Sequence, residues 1–131
     1  MTHVRALTPF VHVADVRRSV GWYQALGMRL ERVWPEGPDE IQWAHLAVED
    51  AQIMLQRASE PVDCGAQGVL FYTFVDDLEA FVRLLENKGI EAGPITDGTP
   101  GPRREARLAD PDGYVVMVAE IERATATDPV A

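Results

Sequence analysis

The sequence predicts an α+β fold in which two tandem βαβββ modules place eight strands in one curved mixed sheet, with a cup-shaped cavity inside and helices on the outer face. Three observations predict this fold. The chain matches itself at a constant offset, each half contains one helical segment, and the remaining apolar segments are short and separated by turn residues. Because both halves show the same order of elements, a duplicated module explains the pattern.

The internal repeat keeps one register along each half of the chain. Asp15 falls on Asp77, 62 positions later, and Gly27 falls on Gly89, so a cap and a terminator flank each helix in the same way. For the second helix the cap is Asp76 or Asp77. The further matches are Val13 with Val75, Val16 with Leu78, Met28 with Ile90, Ala44 with Ala106, Leu46 with Leu108, Ala47 with Ala109 and Asp50 with Asp112.

The elements follow from strand-like runs, helical spacing and breaker residues. Residues 1–131 form a single predicted domain, with module one at about 6–58, a linker at about 59–68, module two at about 69–121 and a frayed tail at about 122–131. Module one has predicted strands at 8–13, 28–34, 40–48 and 51–57 and a helix at 16–26. Module two has predicted strands at 69–75, 90–96, 103–109 and 113–121 and a helix at 78–88, with breaker-rich loops at 35–40 and 97–103.

Composition narrows the classes of partner. The formal net charge of −9 argues against a nucleic-acid partner, which calls for a basic surface, and permits a cationic small-molecule ligand. No apolar run approaches the roughly 20 residues that cross a bilayer, so we expect no membrane partner. The N-terminus lacks a signal-peptide apolar region and Cys64 is the single cysteine. We therefore expect a cytoplasmic location.

Three segments carry a resemblance to a known family: "VADVRRSVGWYQALGM" at 13–28, "VDDLEAFVRLLENKGIE" at 75–91 and "REARLADPDGY" at 104–114. Together with the duplicated βαβββ order, they resemble the vicinal oxygen chelate superfamily. That superfamily includes glyoxalase I, extradiol dioxygenases, fosfomycin-resistance enzymes and bleomycin-resistance proteins. The resemblance covers roughly residues 8–121 and implies the fold predicted above.

The resemblance also implies a metal site, with His and Glu ligands from the first and last strands of each module. The equivalent positions in this sequence are Thr8, Met54, Leu70 and Met117. None of them supplies an imidazole or a carboxylate, and a thioether is a poor ligand for hard cations. We therefore predict no metal and no other cofactor.

Period-two alternation and the family register predict which side chains line the cup. Its apolar members are Phe10, Trp43, Met54, Tyr72, Phe74 and Met117. Its polar members are His12, His45, Gln52, Gln56, Glu105 and Arg107. A mostly apolar concavity with a few polar groups is typical of a small-molecule site, although the methionines and aromatic residues also suit plain core packing.

Two functions remain open from the sequence. Arg104 and Glu105 match an Arg–Glu pair that precedes the Asp-Pro turn in bleomycin-resistance proteins. That resemblance implies a metal-independent binding protein, a homodimer, that sequesters a cationic or aromatic antibiotic-like ligand. The alternative is a lyase, isomerase or dioxygenase of the superfamily with a relocated metal site near His12 and His45. Metal-free acid–base chemistry, with His12, His45 or Glu105 as the base, is the other form of that alternative, and no catalytic residue is assigned.

Overall fold

The structure, a computed structural model, describes residues 2–97 and 104–121. The predicted tail at 122–131 and most of the predicted loop at 97–103 lie outside these residues. A short 3₁₀ turn occupies Cys64–Ala66, within the predicted linker. The helices and strands are β1 (Phe10–Val13), α1 (Val16–Ala25), β2 (Arg29–Trp34), β3 (Trp43–Val48), β4 (Ala51–Arg57), β5 (Phe71–Val75), α2 (Leu78–Asn87), β6 (Glu105–Ala109) and β7 (Val115–Glu120).

The chain groups into two compact units. The first comprises the residues up to Ala66 together with Asp110–Tyr114, and the second comprises Gln67–Ala109 and the chain from Val115. The first unit holds a sheet in the order β1-β4-β3-β2, and the second holds a sheet in the order β5-β7-β6. In each sheet the first strand runs parallel to the last and the remaining pairs are antiparallel. The α+β class with mixed sheets is confirmed.

Two details differ from the sequence prediction. The described strands form two sheets rather than one. The sequence could not show this division, because alternation shows which face of a strand is apolar but not which strands pair. No continuous strand forms at the predicted 90–96. An isolated bridge joins Thr96 to Glu105 there, and the Gly93 N–H donates a 2.9 Å hydrogen bond to the Arg107 carbonyl oxygen. Pro94 lacks an N–H group and Gly93 gives no side chain to pack, so this segment cannot sustain a ladder.

Each helix buries its apolar side against its own sheet. In α1 the buried side chains are Val16, Ser19, Val20 and Tyr23, and in α2 they are Leu78 and Leu85. The buried strand residues alternate with exposed or half-buried ones, as expected where one face meets a helix. They are Val11, Val13, Ala44, Leu46, Ile53 and Leu55 in the first unit, and Ala106, Leu108, Val116 and Val118 in the second. Ala119, on the opposite face of β7, is the exception to the alternation and is also buried.

The helix ends preserve the repeat. The Asp15 carboxylate accepts a hydrogen bond from the Arg18 N–H at 3.2 Å, and Asp77, not Asp76, accepts one from the Ala80 N–H at 3.0 Å. Gly27 and Gly89 each adopt a positive φ just after the helix, as a C-terminal glycine does. None of the helices among the described residues is long and apolar enough to cross a bilayer.

Candidate functional site

The side of the first sheet turned away from α1 gathers the site residues predicted for module one. We call it the first distal face. Strand pairing places Phe10, Met54 and His45 side by side in one row, because directly paired residues point to the same side of a sheet. The next row consists of His12, Gln56 and Trp43.

Aromatic and imidazole rings contact one another along this face. The Phe10 and His12 rings meet edge to face with centroids 5.7 Å apart, and Phe10 remains 51% exposed. The Trp43 and His45 rings lie 6.3 Å apart. His45 Nε2 lies 2.8 Å from Gln52 Oε1, which holds the imidazole in one orientation. The face therefore offers exposed aromatic surface beside oriented polar groups, a combination that binds planar ligands.

Strand β2 adds two residues that the sequence reasoning did not place on this face. Trp34 pairs with Trp43, and Arg32 pairs with His45. Trp34 is 63% exposed. The sequence predicts that Trp34 ends the strand at 28–34, but it does not predict that Trp34 pairs with Trp43 on the neighbouring strand.

A cavity of about 240 Å³ lies at the end of β1. His12 and Tyr114 line it together with Ala58 and with residues 59–63, which were predicted to be only a linker. The Tyr114 hydroxyl donates a 2.8 Å hydrogen bond to the His12 carbonyl oxygen, so the turn before β7 supports the backbone of a candidate site residue. Glu60 and Asp63 give the cavity wall an acidic character.

That turn is held by carboxylates. Asp110 accepts hydrogen bonds from the backbone N–H groups of Asp112 and Tyr114, both at 2.9 Å. Asp112 accepts one from the Ala14 N–H at 3.1 Å and contacts the Ser19 hydroxyl at 3.5 Å. Burial raises the pKa of the Asp110 carboxyl, and these N–H donors oppose the rise. Burial likewise raises the pKa of the Tyr114 hydroxyl.

The second sheet also has a face turned away from its helix, the second distal face, and it holds the remaining predicted residues. Tyr72, Met117 and Arg107 form one row across the strands. Phe74, Ala119 and Glu105 form the next row. The Tyr72 and Phe74 rings have centroids 5.6 Å apart, and each side chain is 47% exposed.

Arg104 and Glu105, adjacent in sequence, do not form a pair with each other. Arg104 contacts Glu79 of α2 at 2.6 Å and Glu120 of β7 at 3.5 Å. Its hydrogen bond to Glu79 raises the pKa of the guanidinium. Glu105 points to the second distal face, where its Oε2 atom is buried and has no hydrogen-bond partner among the described residues. Arg104 and Glu105 match the Arg–Glu pair of bleomycin-resistance proteins in sequence, but in the structure the two side chains have separate surroundings.

The residues at the family's metal-ligand positions do not suit a metal. Met54 pairs with Phe10, and Met117 pairs with Tyr72, so the two thioethers occupy matching places in the two sheets. Leu70 is 57% exposed and Thr8 is half-buried. Within residues 2–97 and 104–121, no three His, Cys, Asp or Glu side chains come together as metal ligands. Soft thioethers and a leucine do not match hard divalent cations.

His12 and His45, the pair considered for a relocated metal, stand on strands separated by β4. Their backbones are therefore at least two strand spacings apart, about 10 Å. The His45 ring already contacts Gln52. Neither observation favours a shared metal.

Comparison with known proteins gives a family and a set of similar folds. The family model for the Glyoxalase/Bleomycin resistance protein/Dioxygenase superfamily matches residues 2–118. A search of curated proteins found no match.

Three solved structures illustrate the similarity of fold. A bleomycin-binding protein complexed with bleomycin is 20% identical, with a TM-score of 0.72, and the match covers 91% of this chain and 100% of that one. TnmS3, an antibiotic-binding protein from Streptomyces sp. CB03234, is 23% identical, with a TM-score of 0.71 and coverage of 93% and 99%. Lactoylglutathione lyase from Agrobacterium tumefaciens is 15% identical, with a TM-score of 0.68 and coverage of 92% and 96%.

Proposed function

This chain belongs to the Glyoxalase/Bleomycin resistance protein/Dioxygenase superfamily, and from that premise we propose that it is a binding protein for an antibiotic-like small molecule that is aromatic, cationic or both. The observation that carries the proposal is the first distal face, where the exposed Phe10 ring lies in contact with His12 and in the row beside Met54 and His45. Exposed aromatic and thioether surface favours stacking with a planar ligand. Two structures of similar fold are described as bleomycin-binding and antibiotic-binding.

The test measures binding of copper-free bleomycin and of the planar cation 9-aminoacridine by isothermal titration calorimetry. Phe10→Ala is expected to weaken binding about 2- to 13-fold, the loss of an aromatic contact of about 0.5–1.5 kcal/mol. Leu84→Ala is the matched control, since Leu84 lies on α2 and is 47% exposed, close to the 51% of Phe10. The absence of binding of both compounds at millimolar concentration would contradict the proposal.

The proposed binding does not require a metal. The residues at the family's metal-ligand positions support this, because none of them offers an imidazole or a carboxylate. Metal analysis of purified protein, followed by titration with Ni²⁺, Zn²⁺ and Mn²⁺, is expected to find no stoichiometric ion. A stoichiometric ion held with sub-micromolar affinity would favour a superfamily enzyme with a relocated site instead.

We also propose that the protein is a homodimer. Exposed apolar side chains support it, among them Trp34 on β2 and Leu70 before β5, at 63% and 57% exposure, because large exposed apolar surface often marks an interface. Light scattering at micromolar concentration is expected to give twice the chain mass of 14.5 kDa. A monomer would remove this part of the proposal.

A further inference from the structure

Glu105 is the one residue among those described whose buried side-chain oxygen lacks a hydrogen-bond partner. Buried carboxylate oxygens are nearly always satisfied, because an unpaired one loses its hydration without compensation. Such an exception at a candidate site indicates a donor that residues 2–97 and 104–121 do not provide. The donor is then expected from the ligand.

The two arginines near Glu105 that the structure describes do not serve as that donor. Arg104 is adjacent in sequence, but Glu79 and Glu120 engage its guanidinium. Arg107 is two residues further along the same face of β6 and is exposed, yet it makes no hydrogen bond to Glu105 Oε2. The carboxylate therefore retains its capacity to accept a hydrogen bond.

Aromatic surface lies within reach of this carboxylate. Phe74 and Glu105 flank Ala119 on the two neighbouring strands, so their backbones are two strand spacings apart, about 10 Å. Only a methyl side chain stands between them in that row. The Tyr72 ring contacts Phe74 with a centroid distance of 5.6 Å.

We propose that Glu105 is the specificity-determining anchor of a ligand site on the second distal face, accepting a hydrogen bond from a protonated nitrogen of the ligand while Tyr72 and Phe74 contact its aromatic part. This rests on the proposed function and narrows it to ligands that combine an aromatic ring with an N–H cation. A carboxylate and ring faces act together on such a group, since both stabilise a positive charge. A neutral aromatic compound would use only the rings.

The experiment compares 9-aminoacridine, which is protonated at neutral pH, with acridine, which is neutral there. Glu105→Gln is expected to weaken 9-aminoacridine binding at least 10-fold and to change acridine binding less than 2-fold. Glu86→Gln is the control, because it removes the same charge from an exposed position on α2. Equal effects of Glu105→Gln on the two dyes, or no effect on 9-aminoacridine, would overturn the proposal.

A stability measurement separates this role from a structural one. Glu105→Met replaces the unpaired carboxylate with an apolar chain of similar length, so the Tm of the ligand-free protein is expected to stay the same or rise. A lower Tm together with unchanged 9-aminoacridine affinity would identify Glu105 as a structural residue and overturn the proposal. Failure of the proposed function gives a different result, because then neither dye binds the unaltered protein.

Discussion

The Tyr23 hydroxyl donates a 3.1 Å hydrogen bond to Asp110 Oδ2, and both residues are buried. Tyr23 belongs to α1 of the first repeat, whereas Asp110 begins the Asp-Pro-Asp-Gly turn of the second. Both residues lie in the first compact unit, so the turn of one repeat packs with the helix of the other. Burial, followed by the charge of Asp110, raises the pKa of the Tyr23 hydroxyl, which therefore stays protonated and remains a donor.

Removal of this hydroxyl is expected to destabilise the protein. Tyr23→Phe leaves a buried carboxylate with one donor fewer, and hydrogen bonds to charged groups contribute about 1.5–3 kcal/mol. We expect the free energy of unfolding in urea to fall by that amount. Tyr72→Phe is the control, because its side chain is 47% exposed, and it should change the free energy by less than about 0.5 kcal/mol. Equal effects of the two variants would contradict the role of Tyr23.

The raised pKa of the Asp110 carboxyl predicts that the free energy of unfolding depends on pH. Burial raises the pKa of its carboxyl above the ordinary value of 3.8, so the folded state binds this proton more readily than the unfolded state does. The stabilisation from that proton is present at pH values below 3.8 and is lost as the pH rises through the folded pKa. We therefore expect the stability of the unaltered protein relative to Asp110→Asn to fall across the interval just above pH 3.8. Urea unfolding of both proteins between pH 3 and 7 measures this difference, and a flat or rising difference would contradict it.

Gly113 is expected to be irreplaceable in the same turn. Its φ is +89°, and a Cβ atom there would lie 2.7 Å from Cys64 Sγ. Gly113→Ala should therefore lower the free energy of unfolding by at least about 1–2 kcal/mol, the cost of the left-handed conformation alone. Gly21→Ala, at an exposed position in α1 with open space around it, should raise stability by about 0.5–1 kcal/mol. Chemical denaturation of both variants gives the comparison, and an unchanged Gly113→Ala protein would refute it.

Of the two adjacent acidic residues before α2, only Asp77 caps the helix, so substitutions of the two should differ in effect. Asp77 accepts a hydrogen bond from the Ala80 N–H at 3.0 Å, so Asp77→Ala is expected to cost about 1 kcal/mol. Asp76→Ala removes an exposed carboxylate that is not the cap, and its effect should stay within about 0.5 kcal/mol. Thermal and urea unfolding of the two variants provide the test. A larger loss for Asp76→Ala would mean that the cap is wrongly identified.

The two halves of the chain match each other more closely in the structure than sequence matching alone could establish. The second half contains one inserted residue relative to the first. The offset of 62 holds for both helices and for the pairing of His45 and Arg107 with the central methionine of the last strand. Those methionines, Met54 and Met117, are 63 residues apart. The reason is that the paired residues Ala109 and Val115 enclose one residue more than the equivalent pair Ala47 and Gln52. Matching Asp50 to Asp112 places the repeat correctly up to that turn.

The sequence by itself determined the features that depend on local periodicity and local chemistry. These are the two helices with their aspartate caps and glycine ends, the alternation that separates buried from exposed strand residues, and the lack of imidazole or carboxylate at the family's ligand positions. Such features are encoded within a few neighbouring residues. The α+β class followed from their order.

Tertiary structure decided which distant groups meet. It placed Trp34 beside Trp43, divided the strands between two sheets, and removed the strand predicted at 90–96. It directed Arg104 toward Glu79, while Glu105 Oε2 has no hydrogen-bond partner within the described part of the chain. Strand pairing and side-chain partners arise from contacts between residues far apart in the chain, and a period along the sequence carries no information about which of them approach.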